Sequence, residues 1–229
     1  FFGDQPPKFA MRGEDTKERF ARYGDIVAIY TDEKISENFR MGFVTSDGII
    51  DVNVWVKDGQ PHDFTDCLFR ICVKQSSTAQ QFLSKTLDKI LDDRDFCGAS
   101  IDLKDLAGQL THLSAEDIQV VMSLAQEAQA EQQQNEIDEK RSRGKMVDFG
   151  QTVQLQHVKT GKFLAEREKK MSDSDSISSK VILQPSIGSE ALFVFEPGFQ
   201  GSSGGIPFGD AVLIRCGKAE GQHIQCSKS

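Results

Sequence analysis

The sequence predicts a mainly β fold of three repeated units with a helical insertion between the first two. One recurrence, one uneven spacing and one change of composition carry that prediction. The recurrence is a Gly-led strand: GDIVAI from Gly24, GQTVQL from Gly150 and GDAVLI from Gly209. Each copy sets apolar residues three and five positions after its Gly, namely Val27 and Ile29, Val153 and Leu155, Val212 and Ile214. A spacing of two puts each pair on one face of a strand, the face that turns inward. The second and third copies start 59 residues apart, the first and second 126. The excess falls in residues 75–145, which are poor in β-branched residues and rich in Gln, Glu, Ala, Lys and Leu.

The elements follow in order. In the first unit, GDIVAI leads through RMGFVTSDGIIDV to DCLFRICVK, whose Cys67, Phe69, Ile71 and Val73 share one strand face. In the second, GQTVQL turns at Lys-Thr-Gly into GKFLAEREKK and ends in the aromatic strand ALFVFEPGF. The third runs from GDAVLI to GQHIQCSKS and stops before a terminal aromatic strand. Either residues after Ser229 supply that strand or the barrel has an open edge, a pairing liability. A threefold recurrence of short β units predicts a β-trefoil. The expected organisation is an N-terminal extension at 1–19, expected to be flexible, and a first unit at 20–74. A helical arm then occupies 75–145, and the second and incomplete third units occupy 146–229.

The arm reads as helix-turn-helix. TAQQFLSKTLDKILDD places Phe82, Leu83, Leu87, Ile90 and Leu91 at helical spacing. A second helix starts at Ser114, whose hydroxyl can cap free backbone N–H groups, with Asp117 in the capping-box position. It carries Ile118, Val121, Leu124, Ala125 and Ala128 on a stripe, then turns polar in EAQAEQQQNEIDEKRSR. A helix polar all round cannot dock deeply, so that end is expected to project into solvent or to meet another protein. Glu131, Gln134 and Glu136 are the candidate partner-facing residues.

The 229 residues, 38% hydrophobic, are ample for a buried core in one or two domains. A net charge of −8 disfavours a broad nucleic-acid footprint. No apolar run approaches the roughly 20 residues needed to span a bilayer, so no direct membrane insertion by this piece is expected. The opening FFGDQPPKFAMRGED has no signal-peptide pattern and no initiator Met, which reads as a piece of a longer protein. Five cysteines (Cys67, Cys72, Cys97, Cys216, Cys226) make an odd count without a dense framework, as expected of reduced thiols in a cytosolic setting.

Motifs for chemistry are weak. Cys67 and Cys72 are five apart in a strand-like run, on opposite faces, and cannot chelate together. A calcium loop begun at Asp93 has Cys97 at position 5 and Lys104 at position 12, where oxygen ligands belong. A helix C-terminus with a Gly stop explains it better. His62, His112, His157 and His223 show no metal spacing, and His157 takes an inward-alternating place as a satisfied core or rim histidine. The Lys-rich KTGKFLAEREKK reads as a solvated hairpin diluted by Glu166 and Glu168, and DSDSISSK as a polar loop. No GxGxxG turn precedes a helix and no nucleophile has an evident base, so no enzyme, cofactor or metal is expected.

GDIVAIY, GFVTSDGIIDV, DFTDCLFRICV followed by STAQQF, QNEIDEKR and FGQTVQLQHVKTGKFL, in this order from about Phe20 onward, resemble the N-terminal cytosolic domain of inositol trisphosphate receptors. These are calcium-release channels related to ryanodine receptors. The resemblance implies a suppressor domain without chemistry of its own. In the family that domain lowers the ligand affinity of the following inositol trisphosphate-binding core. It transmits ligand binding to the pore through neighbouring subunits of a tetramer. Partners so implied are that core, those subunits and regulatory proteins on the arm. The implied location is the cytosolic face of an intracellular calcium store, the endoplasmic reticulum or an equivalent acidic store, with a membrane-embedded parent. The family's coupling loop, an aromatic strand, a Pro, then an exposed aromatic, maps to Pro197, Gly198 and Phe199. Phe stands where the family usually has Tyr, keeping the ring and losing the hydroxyl.

Two readings of Phe199 stand, an interface residue or a core or lone surface aromatic. The QGSSGGIPFGD stretch after it reads as a mobile Gly-rich loop. The connection DDRDFCGASIDLKDLAGQLTHL has no family counterpart. Two other functions stay open: a carbohydrate-binding trefoil of the kind attached to glycosyltransferases, and inositol phosphate binding by the Lys-rich hairpin itself. A ryanodine-receptor-like parent is a further alternative.

Overall fold

The three Gly-led segments meet in a closed ring of backbone hydrogen bonds. Ala21 N–H donates to the Ile206 carbonyl at 2.8 Å, Ile206 N–H to Val147 at 3.1 Å, and Val147 N–H to Ala21 at 2.8 Å. A second ring runs two residues further on in the opposite sense. Tyr23 N–H donates to Lys145, Phe149 N–H to Gly204 and Phe208 N–H to Arg19, at 3.0, 2.9 and 2.9 Å. Each segment then turns at its glycine, with φ of 93° at Gly24, 85° at Gly150 and 90° at Gly209. Only glycine holds that backbone without strain, which is why each copy begins with it. Ala21, Val147 and Ile206 are buried where the rings close. The segments leading into the three glycines are therefore bonded to one another in the same way. The second half of the Gly-rich stretch, residues 203–209, is part of this ring and not a free loop.

The computed structural model describes residues 19–31, 34–35, 38–39, 42–49, 52–58, 63–91, 114–171, 179–199, 203–217 and 223–224. The N-terminal extension before residue 19, the calcium-like loop, the 92–113 connection and most of DSDSISSK lie outside them.

The described residues are mainly β, with antiparallel sheets and two α-helices. Strands β1 (Ile26–Ala28), β7 (Leu68–Val73), β8 (Thr152–His157), β11 (Phe193–Pro197) and β12 (Val212–Cys216) pair in the order β1-β7-β8-β11-β12. Val27 faces Phe69 across one pair, and Val153 faces Phe193 across the equivalent one. Phe69, Phe193, Leu155 and Val153 are fully buried and centre the core, as the two-residue spacing predicts. Strands β2 (Tyr30–Thr31), β5 (Gly42–Thr45) and β6 (Trp55–Asp58) make a small sheet. Strands β3 (Lys34–Ile35) and β4 (Asn38–Phe39) form a two-stranded one, and β9 (Phe163–Met171) pairs with β10 (Ser179–Gln184). Cys67 ends a short 3₁₀ turn, Phe64–Cys67, so it enters the core before β7 begins.

Helix α1 (Thr78–Leu91) and α2 (Ala115–Ser142) form the arm. The Ser114 hydroxyl accepts from Asp117 N–H at 3.1 Å and donates to the Asp117 carboxylate at 2.7 Å, an N-cap in which the Asp117 carboxylate bonds the capping hydroxyl. Leu83, Leu87, Val121 and Ala125 make a separate apolar seam, flanked by Ile90, Ile118, Leu124 and Ala128. Phe82 departs from the expected stripe. It sits one position off the seam and is 61% exposed.

The polar half of α2 does not project. Its far end returns to the β part of the chain, where Gly144 N–H donates to Tyr23 O at 2.8 Å and Arg22 reaches Gly144 O at 2.7 Å. Hydrogen bonding replaces apolar burial on the face of this half that meets the rest of the chain, while most of its residues stay exposed to solvent. Asn135 meets Ser76 with both amide groups, donating to its carbonyl at 2.7 Å and accepting from its N–H at 2.9 Å. The arm root also covers the outer face of β8. Gln154 is wholly buried there, accepting from Gln75 N–H at 3.2 Å. Nearby Cys72, Phe163, Ala165 and Ala191 form a third small core.

Candidate functional site

The hairpin of β11 and β12 carries the predicted coupling residues. Its register runs from Phe193 opposite Cys216 to Pro197 opposite Val212. Past the strands, Gly198 N–H donates to Ala211 O at 3.0 Å. A Cβ at Gly198 would lie 2.8 Å from that carbonyl, so the close approach requires glycine. The chain then delivers Phe199 with 72% of its surface exposed, which excludes a core role. Phe208 and Leu213 are also exposed at this end of the molecule.

A charge cluster braces the base of that hairpin. Glu196 receives Arg215 Nε at 2.5 Å on one oxygen and lies 3.0 Å from His223 Nε2 on the other. The hydrogen bond from His223, then that from Arg215, holds the Glu196 carboxyl below the usual carboxylate range. These groups tie β11, β12 and the 223–224 segment together behind Phe199.

On the arm, the three candidate residues separate. Gln134 and Glu136 are exposed, and Gln134 donates to Asp138 at 3.0 Å. Glu131 is half-buried and faces the start of α1. Its carboxylate accepts from Ser76 Oγ at 2.7 Å, Ala79 N–H at 3.2 Å and Gln80 N–H at 3.3 Å. It caps one helix from another, satisfying N–H groups that a helix start leaves open.

The Lys-rich turn is internally engaged. Lys159 Nζ bonds Asp66 at 2.6 Å and Asp63 at 3.1 Å, and Lys162 Nζ donates to Gly48 O at 2.5 Å. Asp63 is held down to about 2 by its hydrogen bonds from Thr65, with Lys159 adding to them. His157 is fully buried between Asp66 O, 3.1 Å from Nε2, and Thr160 Oγ1, 3.0 Å from Nδ1. The Asp66 carbonyl can only accept, so Nε2 carries the hydrogen and Nδ1 accepts from Thr160. Burial pushes the histidine pKa down and keeps the ring neutral. Cys72 and Cys216 are buried thiols pushed up to about 11 by desolvation, without the thiolate character that nucleophiles need. Among the described residues no three His, Cys, Asp or Glu side chains gather as a metal site, and no helix is long and apolar enough to cross a membrane.

Sequence reasoning missed two features. One is the aromatic before each leading glycine, Tyr23, Phe149 and Phe208, visible as YGD, FGQ and FGD. The other is an aromatic row, partly exposed, from the small sheet to the 3₁₀ turn. Tyr30 and Phe43 pack edge-on at 5.2 Å, and Phe43 and Phe64 at 5.7 Å. The scattered positions of that row give no periodic signal.

Residues 16–229 match the family described as "Inositol 1,4,5-trisphosphate/ryanodine receptor". A curated relative, the "Inositol 1,4,5-trisphosphate receptor itr-1" of Caenorhabditis elegans, is 26% identical over 189 residues. The match covers 77% of this chain, which spans 6% of that relative's length. The family match takes in the Gly-led units, the arm and the Phe199 hairpin alike, and on that breadth the chain belongs to the inositol 1,4,5-trisphosphate/ryanodine receptor family.

Proposed function

We propose that this chain is the N-terminal regulatory domain of a tetrameric, intracellular calcium-release channel of the inositol trisphosphate receptor type. In this reading it has a β-trefoil core. It lowers the ligand affinity of the binding core that follows in the same polypeptide, and it couples ligand binding to gating through a neighbouring subunit. The parent sits in a calcium-store membrane with this domain on the cytosolic side. The observation that carries the reading is the exposed ring of Phe199, held out on a two-stranded spur whose backbone is locked at Gly198. An aromatic presented this way carries large contact area at low entropic cost, the property of an interface anchor. The equivalent hydrogen-bond rings at the three glycines support the trefoil. The exposed Gln134 and Glu136 are the proposed arm contacts for regulatory partners, with Glu131 holding the arm in shape.

The test is Phe199→Ala in the parent channel. Weakened gating with unchanged ligand binding to the core and unchanged domain melting is expected. Normal gating would refute the assignment of this loop. Calorimetry of the domain with inositol trisphosphate should give no heat at micromolar ligand, because Lys159 and Lys162 are already engaged.

A further inference from the structure

The chain carries a net charge of −8, yet cations gather where the end of α2 meets the β part. Residues 140–145 read KRSRGK, four cations in six positions without an acid. They close α2 and lead straight into Val147 of the backbone ring. Lys140, Arg141, Arg143 and Lys145 are all exposed. Arg22 is exposed beside them, its guanidinium reaching only the Gly144 carbonyl, at 2.7 Å. The Lys-rich turn is the opposite case, since Asp63, Asp66 and the Gly48 carbonyl engage both of its lysines.

A groove opens at this junction. Arg70 and Cys72 of β7 line it, with Glu139 and Arg143 from the end of α2 and the Tyr23 ring from the first Gly turn. A Cβ at Gly24 would stand 3.3 Å from Arg143 Cγ, so the arginine stem packs on that turn. Glu139 accepts from Arg143 at 3.1 Å, one helical turn apart, so the groove already seats one carboxylate. The Arg70 guanidinium has no hydrogen bond or ion pair to a described residue. Burial raises the Cys72 thiol pKa and Glu139 adds to it, while Arg70 and Arg143 oppose both, so the three charges surround one point. The other carboxylates of these segments are engaged. Asp25 accepts from Arg22 N–H, Asp138 from Gln134 and Asp148 from Gln151.

We infer that this groove docks an acidic segment of a partner protein, one of whose carboxylates lies between Arg70 and Arg143. Arg22 and Lys145 meet further acids beside the groove, and the Tyr23 ring gives apolar contact. Planar guanidinium groups match the two oxygens of a carboxylate, and such charge-assisted bonds are short and strong. Charge complementarity selects the partner. An acidic protein is repelled by the acidic average of this chain and is steered to the one junction where cations prevail. This surface shares no residue with the Phe199 hairpin or with Gln134 and Glu136, so its test is independent of theirs.

Fluorescence anisotropy on the parent protein tests it, with a short dye-labelled peptide of Glu, Asp and Leu as the probe. Binding should weaken about tenfold in Arg143→Ala and in Arg70→Gln, each of which removes one charge-assisted contact. The Arg143 side chain is 67% exposed, so its replacement leaves the core untouched. Arg143→Lys keeps the charge and loses the planar fork, and should recover only part of the affinity. Arg141→Ala removes an exposed charge of the same run from outside the groove lining, and should change binding by about twofold or less. Added salt should weaken binding throughout. A probe that does not bind would overturn the inference. Equal losses in Arg141→Ala and Arg143→Ala would also overturn it, because they would mean diffuse attraction without a built groove. Displacement of the peptide by inorganic phosphate at equal ionic strength would assign the groove to a small anion and overturn it equally.

Discussion

Ala21 donates its backbone N–H to the carbonyl of Ile206 at 2.8 Å, joining residues from opposite ends of the described chain. Val147 completes the ring from the middle. No local interaction can bring these residues together. The bonds form only when all three units are folded, so the ring reports on the cooperativity of the whole core.

The leading glycines therefore give a first prediction. Gly150 has φ of 85° and open space where a Cβ would go, so Gly150→Ala is a test of backbone strain alone. It should cost about 1–2 kcal/mol, measured by urea denaturation. Gly150→Asn should cost less, because Asn tolerates the left-handed region. Equal stability for all three proteins would show that the turn relaxes elsewhere.

Phe69 and Phe193 occupy equivalent, fully buried places opposite Val27 and Val153. Truncating either to Ala should cost about 3–5 kcal/mol, and the two values should be similar. A large difference in denaturation midpoint at constant slope would mean that the two units do not share one core.

Glu131 spans two helices, whereas Gln134 is a solvated residue one turn along. Glu131→Ala should destabilise the arm by about 1 kcal/mol through the lost cap, and Gln134→Ala should change little. Helix-resolved hydrogen exchange would locate the Glu131 effect at the first turn of α1. An effect confined to α2 would contradict the cross-helix cap.

His157 predicts the acid response. Its pKa is lowered by burial in the fold and is about 6.5 unfolded, so the native state binds fewer protons as pH falls through that range. Its contribution is complete above the unfolded value and is lost as pH drops through it and on toward the folded value. Melting temperature should begin to decline below about pH 6.5, and His157→Gln should flatten that part of the profile. Asp63, held to about 2, and Glu196, also lowered, act in a separate window below their unfolded carboxylate values. A wild-type profile flat between neutral pH and pH 5 would remove His157 from the account.

Much of this architecture was legible in residues 24–29, 150–155 and 209–214, because strand alternation and a left-handed glycine are local requirements written in a few positions. The N-cap at Ser114 and the seam from Ile118 to Ala128 were legible for the same reason. The Lys-rich turn was not. KTGK looks like a basic patch until Asp63 and Asp66, some ninety positions away, are placed beside Lys159. Glu131 was read as partner-facing for a similar reason, since its neighbours Ser76 and Ala79 lie at the start of another helix.

By itself, then, the sequence determined which of the described segments become strands and helices, and that the chain must turn at Gly24, Gly150 and Gly209. Those properties depend on periodicity and on backbone preferences within a few residues. Only the tertiary structure decided which charges are spent internally, that the polar end of α2 returns to the β part of the chain, and that Phe199 stands clear of the surface. Such outcomes hinge on contacts between residues far apart in the chain, whose partners have no address in local pattern.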